Sequence, residues 1–314
     1  MPYNVRSTTK RYVVIITRLI LLGVIIFFVI RQIAHHWQEI KQYDWQTNWN
    51  YLILSVIFSI GTFFAFSSIW QKIMVGFGHR LSLTGAFRIF YLSNLGRYIP
   101  GKIWQLFGIL YLTKQAGIPP ERAGASFILV QLFAVPASFL IFVLTVLIEP
   151  RVLVDQVAVL GNKSAVIIAA AMVAVSLVII LWPQKVLAIG NAILRRLKRP
   201  QATLMLDKKV ALGIFVGYCL AWTLYGVAFW LFVRAVTGYT GISLMAAVGV
   251  FNAAYQIGYL ALFAPGGFGP RELVMGFMLM PFVGPIAPAV AILARVWLII
   301  AESIAAIIAL GLRK

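Results

Sequence analysis

Residues 264–272 have the sequence APGGFGPRE, and they interrupt an apolar stretch that extends from 244 to 283. Proline removes a helical hydrogen bond and glycine favours non-helical backbone, so a helix is expected to break here. The residues assigned to the break are Pro265, Gly266, Gly267 and Gly269. The flank after the break, 273–283, is shorter than the roughly 20 apolar residues that a crossing helix needs. The sequence leaves open whether both flanks cross the membrane fully or form a re-entrant segment.

A second break of the same kind lies about half a chain earlier. Residues 94–102 have the sequence NLGRYIPGK, in which Pro100 and Gly101 would break a helix. The apolar flanks, 81–95 and 103–113, are both short for a full crossing. The stretch 81–117 is therefore expected to be a broken, re-entrant segment.

The composition places the rest of the chain in a lipid bilayer. Of 314 residues, 62% are hydrophobic and 11% are charged. Soluble domains have about 45–50% apolar and about 25% charged residues. The expected fold is an all-α, polytopic membrane helix bundle with about eight apolar segments. The single cysteine, Cys219, excludes an intrachain disulfide, and no Cys/His cluster has the spacing of a metal site.

Further apolar segments are long enough to cross the bilayer. They are 12–33, 50–71, 122–148, 164–182, 210–233 and 286–311. The most basic stretch, 183–209, includes the run RRLKR at 195–199. Its apolar residues share one helical face, which predicts an amphipathic helix on an anionic membrane surface.

The distribution of basic residues predicts how the chain is oriented in the membrane. The net charge is +19, and the basic residues lie in short runs between apolar segments. Anionic lipid headgroups are therefore expected as partners, and nucleic acid is not. When the N-terminus, 72–122, 183–209 and the C-terminus are placed on one side, that side holds 19 of the 27 Lys and Arg residues. The positive-inside rule then predicts that both termini are cytoplasmic.

The two breaks divide the chain into halves of similar plan. Three crossings separate the breaks, and an odd number of crossings makes the second break enter from the opposite side. We therefore parse the protein as one integral membrane domain of two inverted repeats, 1–150 and 160–314. The broken segment of the second repeat is 244–283. Secondary transporters with this plan bind substrates where their broken helices meet. Two unrelated kinks in an ordinary bundle are the alternative.

Ionisable side chains inside apolar segments are costly, so they are the first candidates for a function. Arg97 and Lys102 flank the first break, and Arg271 follows the second. Together with the free N–H groups of a helix start, these three side chains indicate a site for an anionic lipid headgroup. Snorkelling of the three to the membrane interface is the alternative.

Three more ionisable residues, Glu272, Arg295 and Glu302, lie in the second half. Arg295 and Glu302 are seven residues apart in the last span, so they share a helical face. We expect the three residues to balance charge or to couple protons. Glu302 would do so either by pairing with a basic residue of another span or by titrating.

No set of residues predicts covalent chemistry. The glycines at 266–269 follow no strand, as a nucleotide-binding loop would require. No Ser/His/Asp set, carboxylate pair or metal cluster emerges from the sequence. Gln105, Gln131 and Gln256 can hydrogen-bond a headgroup but cannot drive a reaction alone. The protein is therefore not expected to be an enzyme or to need a cofactor or a metal.

The two broken motifs resemble those of a known family, the flippase-like membrane domain of lysylphosphatidylglycerol synthases and its stand-alone relatives. The resemblance is carried by residues 94–102, 265–272 and the linker 117–123, and it covers nearly the whole chain. It implies an integral inner-membrane protein that moves, or helps to move, a lipid between leaflets. In bifunctional relatives a separate cytosolic domain transfers the aminoacyl group. This chain ends soon after its last span, so that activity is not expected here.

The chain departs from the family pattern near the first break. Many relatives have a glycine and an acid where this chain has Trp104 and Gln105, and an acidic-basic pair where it has Val130 and Gln131. By the resemblance, these departures indicate a different substrate, such as a polyprenyl-phosphate sugar. The expected function is a lipid flippase or transporter that moves an anionic or polyprenyl-linked lipid across the cytoplasmic membrane.

Other functions stay open at this point. The protein could be a non-catalytic membrane accessory that scaffolds a glycosyltransferase or a lipid-modifying enzyme. A membrane-embedded transferase is a third hypothesis, which the residue inventory disfavours. The sequence leaves a homo-oligomer open as well.

Overall fold

The computed structural model describes residues 34, 37–99, 103–152, 171, 174–175, 178, 182–196, 207–238, 241–261 and 264–312. All regular secondary structure in this part of the chain is helical, so the expected all-α membrane bundle is confirmed. The first predicted span, 12–33, and most of 164–182 lie outside the described residues. The count of about eight segments and the division into inverted repeats, 1–150 and 160–314, therefore stay predictions.

The described helices are α1 (Trp37–Gln42), α2 (Trp49–Gly76), α3 (Leu83–Asn94), α4 (Trp104–Gln115), α5 (Pro120–Ile148), α6 (Pro183–Arg196), α7 (Lys208–Thr237), α8 (Leu244–Leu260), α9 (Pro270–Val283) and α10 (Ala287–Gly311). Helices α2, α5 and α7 are each long and apolar enough to cross a membrane, and so is the segment Pro265–Gly311, which contains α9 and α10. Helix α6 lies where the amphipathic helix is predicted, and its basic residues Arg195 and Arg196 are exposed.

Short polar side chains determine where several helices begin. The Oδ1 atom of Asn48 accepts hydrogen bonds from the N–H groups of Asn50 (3.1 Å) and Tyr51 (3.3 Å) at the start of α2. The hydroxyls of Ser82 and Ser243 each accept a 3.0 Å hydrogen bond from an N–H group in the first turn of α3 and α8. Each cap satisfies an N–H group that would otherwise be unpaired, so these residues stabilise the helix starts.

The first break separates two short helices that fold back on each other. Helix α3 ends in a 3₁₀ turn, Leu95–Tyr98, before α4 begins. A Cβ atom built on Gly108 of α4 would lie 3.0 Å from the Cα atom of Ser93 in α3. The far ends of the two helices border one small cavity, which Ser82 and Gln115 line. Helices α3 and α4 therefore form a hairpin, the first hairpin, whose two ends lie at the same end of the bundle.

The second break forms a similar hairpin. Helix α8 leads through the turn Pro265–Gly267 into α9. A Cβ atom built on Gly258 would lie 2.8 Å from the Cβ atom of Arg271, so α8 and α9 approach closely beside the turn. Both helices also contact the turn Pro150–Val152 that follows α5. Helices α8 and α9 therefore lie side by side and form the second hairpin.

The two hairpins enter from opposite ends of α2 and meet at their tips. The side chain of Gln71, near the end of α2, donates a 2.6 Å hydrogen bond to the backbone oxygen of Leu81, just before the first hairpin. At the start of α2, the N–H group of Asn48 donates to the backbone oxygen of Ala235 (2.8 Å), shortly before the second hairpin. The turns at the two hairpin tips contact each other.

A glycine and a buried amide hold α8 against α5 and α7. A Cβ atom built on Gly226 of α7 would lie 2.6 Å from the Cα atom of Val248, so only glycine allows this helix approach. The amide of Asn252 donates to the backbone oxygens of Val248 (2.8 Å) and Trp222 (3.3 Å). It also accepts a 2.7 Å hydrogen bond from the hydroxyl of Ser138. Because its donors and acceptor are satisfied, this buried amide positions the following turn of α8.

Candidate functional site

Gly96 allows the first hairpin to close beside Arg97. A Cβ atom built on Gly96 would lie 2.6 Å from the backbone carbon of Trp104 and 2.7 Å from the backbone nitrogen of Gln105. The side chain of Gln105 donates a hydrogen bond to the amide oxygen of Asn94 across the break. The turn between them directs Arg97 into the interior, where it is 7% exposed.

Glu302 of α10 binds the tip of the first hairpin. Arg97 forms a salt bridge with one carboxylate oxygen of Glu302, and the hydroxyl of Tyr98 donates to the other. The hydroxyl of Tyr91 donates to the backbone oxygen of Glu302 at 3.0 Å. Arg97 also donates a 2.7 Å hydrogen bond to the hydroxyl of Tyr255 in α8. Arg97 therefore joins the first hairpin to both α8 and α10.

Glycines shape the tip of the second hairpin. Gly266, Gly267 and Gly269 have φ angles of 57°, 75° and 93°, which other residues rarely adopt. The N–H group of Gly269 donates a 2.6 Å hydrogen bond to Oε2 of Glu272. Arg295 of α10 donates a 3.0 Å hydrogen bond to the backbone oxygen of Gly266, and its Nε lies 3.8 Å from Oε1 of Glu272. Arg295 therefore holds the second tip on α10.

The start of α9 already has an anion of its own. Free N–H groups at a helix start attract negative charge, and the sequence predicted that an external headgroup would bind there. The carboxylate of Glu272 instead folds back onto the N–H group of Gly269. This helix start therefore has fewer free N–H groups for an external anion than the sequence predicted.

Tyr98 and Arg295 bring the two tips into contact. A Cβ atom built on Gly266 would lie 2.9 Å from the ring of Tyr98 and 2.9 Å from Nη2 of Arg295. The guanidinium of Arg295 lies 5.5 Å from the ring centroid of Tyr98 and 5.8 Å from that of Phe268, within the range of cation–π attraction. A side chain at position 266 would therefore push the two tips apart.

Arg271 lies over the ring of Tyr255. Its guanidinium carbon is 4.1 Å from the ring centroid, and the side chain is 4% exposed. Within the described part of the chain, no carboxylate forms a salt bridge with Arg271. Tyr255 therefore contacts two guanidinium groups, that of Arg97 through its hydroxyl and that of Arg271 through its ring face.

Five buried ionisable side chains thus meet where the hairpin tips join. We call them the charged cluster: Arg97, Arg271, Arg295, Glu272 and Glu302. Each of them is between 3% and 7% exposed, so neither Arg97 nor Arg271 snorkels to the surface. Three guanidinium groups face two carboxylates, which leaves one positive charge in excess. A buried charge without a counter-ion is costly, and the cluster therefore favours an additional anion.

A polar cavity of about 80 Å³ lies beside Arg97. Four amide side chains line it: Asn94, Gln105, Gln131 and Gln256. Three phenol side chains also line it: Tyr218, Tyr255 and Tyr259. Oε1 of Gln256 and the hydroxyl of Tyr218 are buried, and neither has a hydrogen-bond partner among the described residues. Buried polar atoms are normally hydrogen-bonded, so the two residues each hold an unsatisfied polar atom next to the cavity.

The structure brings most of the predicted site residues together. All five members of the charged cluster were singled out from the sequence, and the three glutamines described as able to hydrogen-bond a headgroup all line the polar cavity. The glycines of the second break, with Pro265, form the tip that contacts Arg295. Pro100, Gly101 and Lys102 lie outside the described residues, so their placement stays a prediction.

The match to a protein family extends over both hairpins. A model of the lysylphosphatidylglycerol synthase TM region matches residues 14–306, a range that includes the whole charged cluster. The chain belongs to this family. A comparison with curated proteins found no match. As a member of the lysylphosphatidylglycerol synthase TM-region family, the chain is a multi-pass membrane protein related to lipid modification or transport.

Sequence reasoning missed the tyrosines of this family member's site. Tyr98 and Tyr91 bind Glu302, and Tyr255 bridges two guanidinium groups. A tyrosine in an apolar segment is ordinarily part of the core or of the aromatic belt at the interface. The one available signal was that Tyr98 directly follows Arg97 at the break.

Proposed function

We propose that the protein moves a lipid with an anionic headgroup between the leaflets of the cytoplasmic membrane. The observation that carries the proposal is the charged cluster, which joins both hairpin tips and holds one excess positive charge beside a polar cavity. A headgroup with one negative charge would neutralise the cluster. The amides and phenols of the cavity would bind the rest of the headgroup.

Movement of the lipid would follow from competition for Arg97. This guanidinium is bound by Glu302, and their salt bridge is one of the contacts that hold the first hairpin on α10. A phosphate that binds Arg97 weakens that salt bridge and so favours a state in which the tips separate. Because the hairpins enter from opposite ends of the bundle, separation of the tips would open a path toward one leaflet at a time.

The proposed orientation has both termini in the cytoplasm. The excess of Lys and Arg on that side supports it. Arg97 and Arg271 are buried and so do not count as loop charges, but the imbalance between the two sides is too large to depend on them. The proposed partner is the lipid itself, and the charged cluster acts by charge recognition, not by covalent catalysis.

Arg271→Ala tests the excess positive charge most directly. Arg271 has no carboxylate partner among the described residues, so its removal leaves no acid unpaired. We expect leaflet exchange of fluorescent phosphatidylglycerol in proteoliposomes to fall at least about tenfold, because the variant loses the excess positive charge, an attraction comparable to the ~1.5–3 kcal/mol of a hydrogen bond to a charged group. Size-exclusion profiles and Tm would show that the variant remains folded.

Two further variants serve as controls for the Arg271→Ala measurement. Arg271→Lys keeps the charge but lacks the planar group that stacks on Tyr255, so it should recover part of the exchange rate. Arg151→Ala removes an arginine that is 76% exposed, and its rate should equal that of the unmodified protein. An unchanged rate in Arg271→Ala would remove this residue from the mechanism. If the unmodified protein moves no lipid and a stoichiometric glycosyltransferase or lipid-modifying enzyme co-purifies, the accessory function replaces transport.

A further inference from the structure

We infer that the small cavity between the outer ends of α3 and α4 binds the phosphate group of an anionic membrane phospholipid, at a site separate from the hairpin tips. This cavity, which we call the base cavity, lies where α3 begins and α4 ends. The bound lipid holds the two arms of the first hairpin together. The inference does not depend on lipid movement at the tips, and only the assignment to one leaflet rests on the proposed orientation.

The base cavity is lined by residues of both arms. Its volume is about 230 Å³, whereas one water needs about 10–15 Å³, so the cavity has room for a phosphate group. The polar side chains of the lining are Ser82 and Arg88 on one arm and Gln115 on the other. The other lining residues are glycine or apolar: Leu81, Gly85, Ile89, Leu112 and Ala116. None of these lining residues is an acid, so the cavity offers an anion a positive charge and hydrogen-bond donors.

Arg88 is the charged residue of this lining, and it lacks a counter-ion in the described part of the chain. No described carboxylate forms a salt bridge with it. Its Nε atom is covered by protein and has no hydrogen-bond partner there, whereas the side chain as a whole is half-buried and borders the cavity. A guanidinium binds phosphate through charge-assisted, often bidentate hydrogen bonds. Arg88 is therefore the residue that binds the phosphate.

The surroundings of the base cavity also attract anions. The first turn of α3 borders the cavity, and the positive end of a helix dipole favours a negative charge. The exposed residues Arg80 and Lys114 directly precede the lining residues Leu81 and Gln115. Exposed basic side chains at a membrane surface concentrate anionic lipids. An anionic lipid therefore reaches this end of the first hairpin readily.

The depth of Arg88 and the apolar part of the lining favour a lipid over a free phosphate ion. Arg88 lies five positions after Leu83, the first residue of α3, which is roughly 8 Å along a helix. The headgroup region of one leaflet is about 5–8 Å thick, so Arg88 can meet a phosphate that is anchored in the bilayer. The apolar side chains of Ile89 and Leu112 can contact the hydrocarbon next to that phosphate.

The second hairpin has no equivalent arginine. Ser82 and Ser243 cap α3 and α8 in the same way, and six positions after these caps the chain has Arg88 and Gly249, respectively. A Cβ atom built on Gly249 would lie 2.9 Å from the Cβ atom of Thr145 in α5, so this position is packed against another helix. Because the two hairpins enter from opposite ends, the Arg88 site serves one leaflet, which is the cytoplasmic one in the proposed orientation.

Thermal unfolding of the purified full-length protein in detergent, with lipid added, tests the inference. The Arg271→Ala background is used so that binding at the tips contributes little. Phosphatidylglycerol should raise Tm, because a ligand of the folded state stabilises it, and phosphatidylcholine should raise it much less. Arg88→Gln should increase the phosphatidylglycerol concentration needed for the same rise at least about tenfold, because it removes a charge-assisted contact. Arg88→Lys keeps the charge without the planar fork and should recover part of the affinity.

Two control variants distinguish binding in the cavity from general attraction to a basic surface. Arg80→Gln removes the same charge at an exposed position outside the lining, and it should change the required lipid concentration less than about threefold, because exposed charges interact weakly. Ala116→Phe keeps every charge but adds a ring at an exposed position that borders the cavity. It should weaken binding as Arg88→Gln does, and it serves if Arg88→Gln does not fold.

The outcomes separate this inference from the proposed function. Equal weakening by Arg88→Gln and Arg80→Gln, or unchanged binding in both Arg88→Gln and Ala116→Phe, would overturn the base cavity as the site. The same rise in Tm with inorganic phosphate would overturn a lipid as its ligand. These results would leave the proposed function intact. Unchanged leaflet exchange in Arg271→Ala would count against the proposed function and leave lipid binding at the base cavity intact.

Discussion

Glu302→Ala is expected to destabilise the protein by about 3–5 kcal/mol, because it leaves the buried guanidinium of Arg97 without its carboxylate. The Arg97 and Glu302 side chains are 8% and 3% exposed, so water cannot replace the lost partner. Tyr98 loses its acceptor in the same change. Thermal unfolding in detergent, followed by size exclusion, would measure the loss as a lower Tm and a smaller folded fraction.

Two comparisons make this prediction specific to a buried ion pair. Glu149 pairs with Arg151 at 3.6 Å, but the arginine is 76% exposed, so Glu149→Ala should cost less than about 1 kcal/mol. The double variant Arg97→Met with Glu302→Met removes both charges together and should recover most of the stability. It should not recover transport, because Arg97 is the proposed phosphate ligand. A Glu302→Ala variant as stable as Glu149→Ala would show that the pair is not structural.

The fold was largely predictable because its signals are local. Apolar runs long enough to span a bilayer predicted α2, α5 and α7, and each is a helix over nearly the predicted range. The proline-glycine breaks predicted interrupted helices, because neither residue needs a tertiary partner to disturb a helix. The contact between the two hairpin tips depends on packing between distant segments, which no local pattern encodes.

The members of the site were predictable, but their pairings were not. The sequence identified Arg97, Glu272 and Glu302 as candidates because an ionisable group in an apolar segment is energetically costly and therefore usually has a function. Arg295 and Glu302 share a face of one helix, yet Arg295 lies against Glu272 of another helix, and Glu302 pairs with a residue of the first hairpin. Which opposite charge lies nearest depends on how the hairpins meet, and that information is absent from the spacing of residues within one helix.

Gly267→Ala is expected to disrupt the second hairpin, because two separate costs fall on this one position. Its φ angle of 75° is in the left-handed region, where a residue with a Cβ atom costs about 1–2 kcal/mol. The added Cβ would also lie 2.8 Å from the backbone carbon and oxygen of Gly258. Backbone cannot rotate away as a side chain can, so α8 and the tip must separate, at a cost of about 1–3 kcal/mol.

Gly117→Ala separates these two costs. Gly117 has nearly the same φ angle, 74°, but nothing lies within 4 Å of its Cβ position. Both variants should lower Tm, and the additional decrease in Gly267→Ala measures the contact with Gly258 alone. Since Gly258 also lies against Arg271, this additional loss should be accompanied by loss of lipid exchange, while Gly117→Ala retains it. Equal decreases in Tm, with lipid exchange preserved in both variants, would contradict this prediction. The tip would then tolerate separation from α8, and the close approach of Gly267 to Gly258 would not position Arg271.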